Sequence, residues 1–317
     1  MRKILVTGDF DVEEAVFFKK DVELIHIRCP VDEQQILEVL PDIQDYILGG
    51  PEYLSSRWID VATRLETVVV MGTGTASFVD IKYAEKKGIR LANTPHMNIQ
   101  AVTEFTLAMM TACLAKVFES VERVKDGTQW IQTPRRSLSS LNIGFVGMGG
   151  IGSEMASQLH RRGCRSLRYW SRSRKVELET SLGLRYESLT HMVNSVDVLC
   201  IHLTGCDDTY HLIDEQVLNR ASAELMIFNM SSPSIVCPAA LKKFLSSNPQ
   251  AFCLIDGYYD EWIYNKGQHN DEHGLLSLPS SSLIVTSHLA AQEKETINEM
   301  FARALKQIFE LAGDRRE

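Results

Sequence analysis

The sequence has no C-x-x-C pair, no apolar run long enough to span a bilayer and no surplus of positive charge. Each absence excludes something. Its seven cysteines are odd in number and scattered, a pattern that fits reduced thiols and not a secreted disulfide framework. The longest apolar run, Phe105 to Ala115, falls short of the ~20 residues a spanning helix needs. The opening Met1-Arg2-Lys3-Ile4-Leu5-Val6-Thr7-Gly8 has too short an apolar stretch for a signal peptide. Lys and Arg total 33 against 41 Asp and Glu, a net charge of -8. That balance argues against a nucleic-acid or anionic-membrane partner, although an average can hide a local basic pocket. No repeat of 20 to 50 residues is visible. The expectation is a cytoplasmic protein whose partner is a small molecule.

What is present is a regular alternation of buried strand and helix. With 317 residues, 44% of them hydrophobic, the chain has material for about two domains. The runs Ile4 to Val6, Leu24 to Ile27, Tyr46 to Leu48, Thr67 to Met71 and Ile89 to Ala92 are continuous and apolar. Each leads into a loop or helical pattern, as parallel strands in βα units do. Helices are expected from Val31 to Leu40 and from Asp80 to Lys87, and one long apolar-periodic helix over 99 to 119. The cycle then restarts at Ile143 to Val146, followed by a helix near 151 to 161 and strands at Ser166 to Trp170, Val196 to Leu203, Glu224 to Asn229, Phe252 to Ile255 and Leu283 to Thr286. A last helix covers roughly 291 to 312. This predicts an α/β protein of two doubly wound parallel-sheet domains, one split by insertion of the other.

Gly147-Met148-Gly149-Gly150-Ile151-Gly152 fits G-x-G-x-x-G, follows an apolar strand and opens a helix. In that context the glycines allow a tight turn and close approach of a pyrophosphate, and the helix N-terminus offers it free N–H groups. Where an NAD-binding chain usually carries an acid for the ribose 2′-hydroxyl, this one has Trp170-Ser171-Arg172-Ser173-Arg174-Lys175. Serine hydroxyls and a guanidinium suit a 2′-phosphate, so Ser171, Arg172 and Ser173 point to NADP(H) over NAD(H). From Arg161 to Lys175 there are seven basic residues and no acid. His269-Asn270-Asp271-Glu272-His273 sits in a polar loop with nothing to fix ligand directions, so no metal is expected there.

Several stretches, taken in order, resemble the D-2-hydroxyacid dehydrogenase family over nearly the whole chain. They are Gly88 to Pro95, Ala101 to Phe105, the glycine fingerprint, Asp197 to Leu203 and Leu283 to Ala290. The resemblance implies a flavodoxin-like substrate domain (1–98 and 291–317), an inserted Rossmann NADP-binding domain (99–290) and a homodimer formed through the latter. It implies hydride transfer to a 2-oxo acid or related carbonyl. His288 would serve as acid/base, and Glu261, five residues after Asp256, would orient it. Asp256, Gly150 and Ile151 join Gly147, Gly149 and Gly152 at the cofactor, while Thr73, Gly74 and His96 face the substrate. An imidazole suits the proton transfer because its pKa lies near working pH.

The family's arginine is missing. Its segment reads roughly Asn-Thr-Ala-Arg-Gly-Gly-Leu-Val, whereas this chain has Asn229-Met230-Ser231-Ser232-Pro233-Ser234-Ile235-Val236, with Ser232 in the arginine position. Losing one transition-state donor commonly costs about 10²–10³ in turnover. The loop Gly72 to Asp80 is one residue longer than the family's, His96 replaces a glycine, and Trp262 replaces a proline after Glu261. Arg135 and Arg136 are candidate replacement cations or solvated loop residues. Two alternatives therefore stand beside the reductase: a cofactor-binding sensor or scaffold without turnover, and an altered reaction in which Ser232, His96 and Tyr258 reshape the pocket.

Overall fold

The computed structural model describes residues 1–12, 22–127, 130, 132, 134–259 and 271–313. Among these, the chain divides into two compact units. The first comprises Met1–Asn98 and the stretch from Ala291 onward, the second Ile99–Tyr259 and Asp271–Ala290. The expected fold class holds: both units are α/β, and every strand pairing is parallel.

In the first unit, β1 (Arg2–Thr7), β2 (Val22–Ile27), β3 (Asp45–Leu48), β4 (Thr67–Val70) and β5 (Arg90–Asn93) form a sheet in the order β2-β1-β3-β4-β5. That is the flavodoxin-like order. Its two faces carry separate cores. One is closed by Ile36, Leu40, Trp58, Ile59 and Ala84 from the helices between strands. The other is closed by the helix Lys294–Gly313, whose Ile297, Phe301, Ala304 and Ile308 pack on Ile4, Val6, Ile47 and Val69. The spacing of three to four residues puts these side chains on one stripe. Gln307 also donates to the carbonyl of Asn93 at 3.0 Å, and the Arg90 guanidinium donates to that of Leu311. The far end of the chain is thus part of the first sheet's core, which explains why the unit is discontinuous.

Where that sheet reverses direction, between β1 and β3, the loop folds Glu52 inward until it is fully buried. Its Oε1 accepts from Tyr46 Oη at 2.6 Å and from the Thr7 hydroxyl, while Oε2 has no partner among the described residues. A Cβ at Gly50 would lie 2.2 Å from Oε2, so a larger residue there would make the carboxyl shift. Burial pushes the Glu52 carboxyl above the usual carboxylate range, and the Thr7 and Tyr46 hydroxyls only partly offset it. The raised value means the unfolded chain gives up its proton first as pH rises. Stability from the neutral form is complete below the unfolded pKa and is lost as pH climbs through the folded one. Glu52→Gln should therefore flatten the fall of Tm expected in the parent as pH rises from the usual carboxylate range through the raised folded pKa. Parallel Tm-against-pH curves for the two proteins would count against this assignment.

The second sheet orders β6 (Asn142–Val146), β7 (Ser166–Trp170), β8 (Arg185–Tyr186), β9 (Val198–Ile201), β10 (Met226–Asn229), β11 (Phe252–Asp256) and β12 (Leu283–Thr286) as β12-β11-β10-β9-β6-β7-β8. This is the Rossmann arrangement with one added strand. The two-residue β8 has no signature in the sequence pattern. The single helix expected over 99 to 119 is instead two, Ile99–Leu114 and Val117–Lys125, bent by 55°. Lys116 breaks it with φ 53, and its N–H bonds the carbonyl of Cys113 at 2.9 Å. Among the described residues, no single helix is long and apolar enough to cross a membrane.

Candidate active site

The glycine loop sits at the reversal point of the second sheet, between β6 and β9. Gly147 has φ 99, and a Cβ there would stand 2.3 Å from the His202 carbonyl oxygen, so only glycine fits. A Cβ at Gly152 would meet the Gly147 oxygen at 2.4 Å, which fixes the helix Gly150–Arg161 close against the strand. At Gly149 the space is open, and no side chain caps that helix. Gly150 and Ile151 occupy its first turn. The uncapped N–H groups and the unfilled space beside Gly149 fit a pyrophosphate. Directly behind the loop lies His202, at the end of β9. Both its ring nitrogens are buried without a partner, and desolvation pushes its pKa down to about 4, so the ring is neutral at pH 7. The sequence signals this residue only as a histidine ending an apolar strand.

The basic run resolves into separate roles. Arg161 pairs with Glu154, Arg162 bonds the Gln158 side chain, and Arg165 reaches the His160 ring. Arg168 holds Glu187 and Ser195, and Arg174 grips Glu179 through two bonds of 2.9 and 2.6 Å. Tyr169 Oη also donates to Glu179, which together with Arg174 holds that carboxyl down at about 2. Arg172, by contrast, is exposed and makes no hydrogen bond or ion pair among the described residues. It follows β7 directly, next to the point where the Gly147 N–H bonds the Trp170 carbonyl at 2.9 Å. Ser173 is exposed beside it, while Ser171 is buried and its hydroxyl donates to the Ser173 carbonyl at 2.6 Å. The turn is therefore shaped by Ser171 and presents Arg172 and Ser173.

On the other side of the same sheet's reversal point lie the remaining candidates. Asp256 ends β11 and is 3% exposed. His288 is half-buried two residues after β12, with φ 58, and its N–H bonds the Thr286 carbonyl at 2.9 Å. Ser232 follows β10 and lies 2.8 Å, oxygen to oxygen, from the Ser234 hydroxyl, with its carbonyl accepting from Asn229 Nδ2 at 3.2 Å. The His211 N–H bonds the Ser234 carbonyl at 2.8 Å, tying this neutral segment to the loop after β9. Glu261 lies outside the described residues, as do His269 and Asn270. Arg136 pairs with Asp197 at 2.7 Å, at the N-terminal edge of the sheet, where Asp197 also accepts from the Asn142 N–H. That edge is opposite the glycine loop, so Arg136 is a strand anchor. Asp271 accepts from Tyr258 Oη and from the Leu275 and Leu276 N–H groups, which makes it a loop cap.

In the first unit, the loop Gly72-Thr73-Gly74 is pinned from β5. The Gly72 N–H bonds Thr94 Oγ1 at 2.8 Å, and Asn93 Nδ2 bonds the Thr73 carbonyl at 2.8 Å. The Thr73 and Gly74 N–H groups find no acceptor among the described residues. His96 is exposed, with φ 70.

A family model described as "D-isomer specific 2-hydroxyacid dehydrogenase, NAD binding domain" matches residues 107–290, more than half of the chain. The chain belongs to the D-isomer specific 2-hydroxyacid dehydrogenase family. A glyoxylate reductase from Aeropyrum pernix is 31% identical over 259 residues, 79% of this chain and 74% of that protein. A hydroxypyruvate reductase from Thermotoga maritima is 20% identical over 313 residues, 98% of both. The D-lactate dehydrogenase of Aquifex aeolicus, solved with NAD and lactic acid, superposes with a TM-score of 0.83 at 22% identity, covering 99% of this chain and 96% of that one. Membership in this dehydrogenase family makes the chain an oxidoreductase with a nicotinamide-cofactor domain.

Proposed function

We propose that the chain is an NADPH-dependent reductase of a small 2-oxo acid or related carbonyl, with His288 as acid/base. The observation that carries the reading is the pairing, in one sheet, of a glycine loop shaped for pyrophosphate with His288 held on a fixed turn. The bound cofactor supplies the hydride. His288 donates the proton that the developing alkoxide needs, an imidazole being able to do so near neutral pH. Glu261 is its proposed orienting partner. The second unit is the cofactor domain and the first the substrate domain, whose Thr73 and Gly74 N–H groups suit a carboxylate. His96 in the first unit and Ser232 in the second are the other proposed substrate-side residues. Such relatives as the Aeropyrum pernix glyoxylate reductase and the Thermotoga maritima hydroxypyruvate reductase make glyoxylate and hydroxypyruvate the first substrates to assay.

The preference for NADPH rests on Arg172. Its guanidinium has no partner to give up among the described residues, so a 2′-phosphate gains a charge-assisted bond worth roughly 1.5–3 kcal/mol. Arg172→Ala should weaken NADPH binding by about 10- to 100-fold and leave NADH binding unchanged. Titration of tryptophan fluorescence with each cofactor reads this out. Equal affinities in the parent would remove the 2′-phosphate role.

Ser232 supports a second reading, in which the cofactor is bound without dehydrogenase turnover. Inertness towards a panel of 2-oxo acids and aldehydes, together with tight cofactor binding, would favour it. The proposed assembly is a homodimer through the cofactor unit. Val117, Val121 and Val124 are 43–49% exposed and lie along one side of the helix Val117–Lys125. This exposed apolar stripe supports a face that a second copy would cover. Val121→Glu should shift light-scattering mass from two chains towards one; a parent that is already monomeric would refute the dimer. All seven cysteines are free thiols, which supports a cytoplasmic location.

A further inference from the structure

We infer that Asp256 is a positioning residue that sets the orientation of His288, an inference that rests on the acid/base reading of that histidine. Its carboxylate accepts three hydrogen bonds from the turn that carries the imidazole. Oδ1 takes the Thr286 hydroxyl at 2.6 Å and the Leu289 N–H at 2.7 Å; Oδ2 takes the Ala290 N–H at 2.8 Å. The donors come from both sides of His288 in sequence, so the turn is bracketed and not merely touched. Parallel pairing puts the two anchors level, Asp256 opposite Thr286, and the Gly257 N–H closes the pair on the Thr286 carbonyl at 2.9 Å.

The bracket answers a specific need. His288 sits at φ 58, in the left-handed region that residues with a Cβ rarely occupy and that persists only where surroundings impose it. The next two N–H groups of the turn would otherwise lack acceptors in a part-buried place. A carboxylate offers about four lone-pair sites, and three are filled from within the chain. One site on Oδ2 remains for a cofactor, so Asp256 directs most of its acceptor capacity at the histidine turn. Asparagine would keep Oδ1 for Thr286 and Leu289 but set an NH₂ group against the Ala290 N–H, loosening one side of the bracket only.

The test compares Asp256→Asn, Thr286→Val, Thr286→Ser, His288→Gln and the Asp256→Asn/His288→Gln double variant. NADPH oxidation with glyoxylate gives kcat and KM, and fluorescence gives the NADPH Kd. Asp256→Asn should lower kcat by about tenfold or more, with KM within about twofold and any loss in NADPH Kd smaller than the loss in kcat. Thr286→Val should lose about threefold, and Thr286→Ser, which keeps the hydroxyl donor, should restore it. In the His288→Gln background, Asp256→Asn should cost less than about twofold, since a residue acting through another has nothing left to position. An additive loss in the double variant would overturn the inference, as would a loss confined to KM or Kd, or an unchanged kcat. If the parent does not reduce glyoxylate, or His288→Gln is as active as the parent, the acid/base reading fails by itself. Hydrogen exchange over residues 287–292 then decides the bracket. Exchange faster by about tenfold in Asp256→Asn supports it, and unchanged exchange overturns it.

Discussion

Replacing His288 by glutamine is expected to lower kcat for 2-oxo acid reduction by about 10²–10⁴-fold, the range a positioned general acid supplies. Glutamine has similar bulk and can still hydrogen-bond, but it has no proton to exchange near neutral pH. The turn itself should survive, because the Leu289 and Ala290 N–H groups still hold it on Asp256. NADPH affinity should therefore stay within about twofold, which separates lost chemistry from lost binding. Steady-state NADPH absorbance and a fluorescence titration on the same sample give both numbers. A variant that keeps most of its kcat would remove His288 from the mechanism. One that loses cofactor affinity in proportion would make it a binding residue.

The strands were legible because parallel strands buried on both faces read as unbroken apolar runs. Val68, Val69 and Val70, or Leu199, Cys200 and Ile201, have no exposed alternative. The glycine loop was legible for a related reason: at Gly147 and Gly152 no other side chain fits, so geometry leaves a mark in the residue type itself. Features made by tertiary partners left no such mark. Nothing in Ala115-Lys116-Val117 resembles a helix stop, yet the helix ends there with Lys116 left-handed. Glu52 follows Gly-Gly-Pro and looks like a solvated loop acid, but it is fully buried on Tyr46 and Thr7. Seven clustered basic residues suggested one anion pocket. In the structure Glu154, Gln158, His160, Glu187 and Glu179 engage five of them and leave Arg172 and Lys175, of which Arg172 is the exposed one next to β7. The resemblance places Asp256 at the cofactor, but its bonds to the histidine turn are not legible, because those partners are 30 to 34 positions away and only the sheet brings them together.

Introducing arginine at Ser232 is expected to raise kcat/KM for glyoxylate by about 10²–10³-fold, the inverse of losing one transition-state donor. The site is neutral: the Ser232 hydroxyl lies against that of Ser234, and Asn229 holds its carbonyl. A half-buried guanidinium without a counter-ion costs stability, so Tm should fall while activity rises. The substrate carboxylate would supply the missing partner, and glyoxylate should raise the variant's Tm more than the parent's. Pro233 fixes the backbone just after Ser232 and opens a short helical turn, where the family has glycine. Ser232→Arg alone can therefore point its side chain badly, and the Ser232→Arg/Pro233→Gly pair is the stricter trial. A gain in either variant that disappears when His288→Gln is added would join the two residues in one reaction. No gain in either variant would mean that Ser232 does not stand where the family's arginine acts. The reduction would then depend on a substrate with no carboxylate to hold, and aldehydes lacking that group should outperform glyoxylate in the parent.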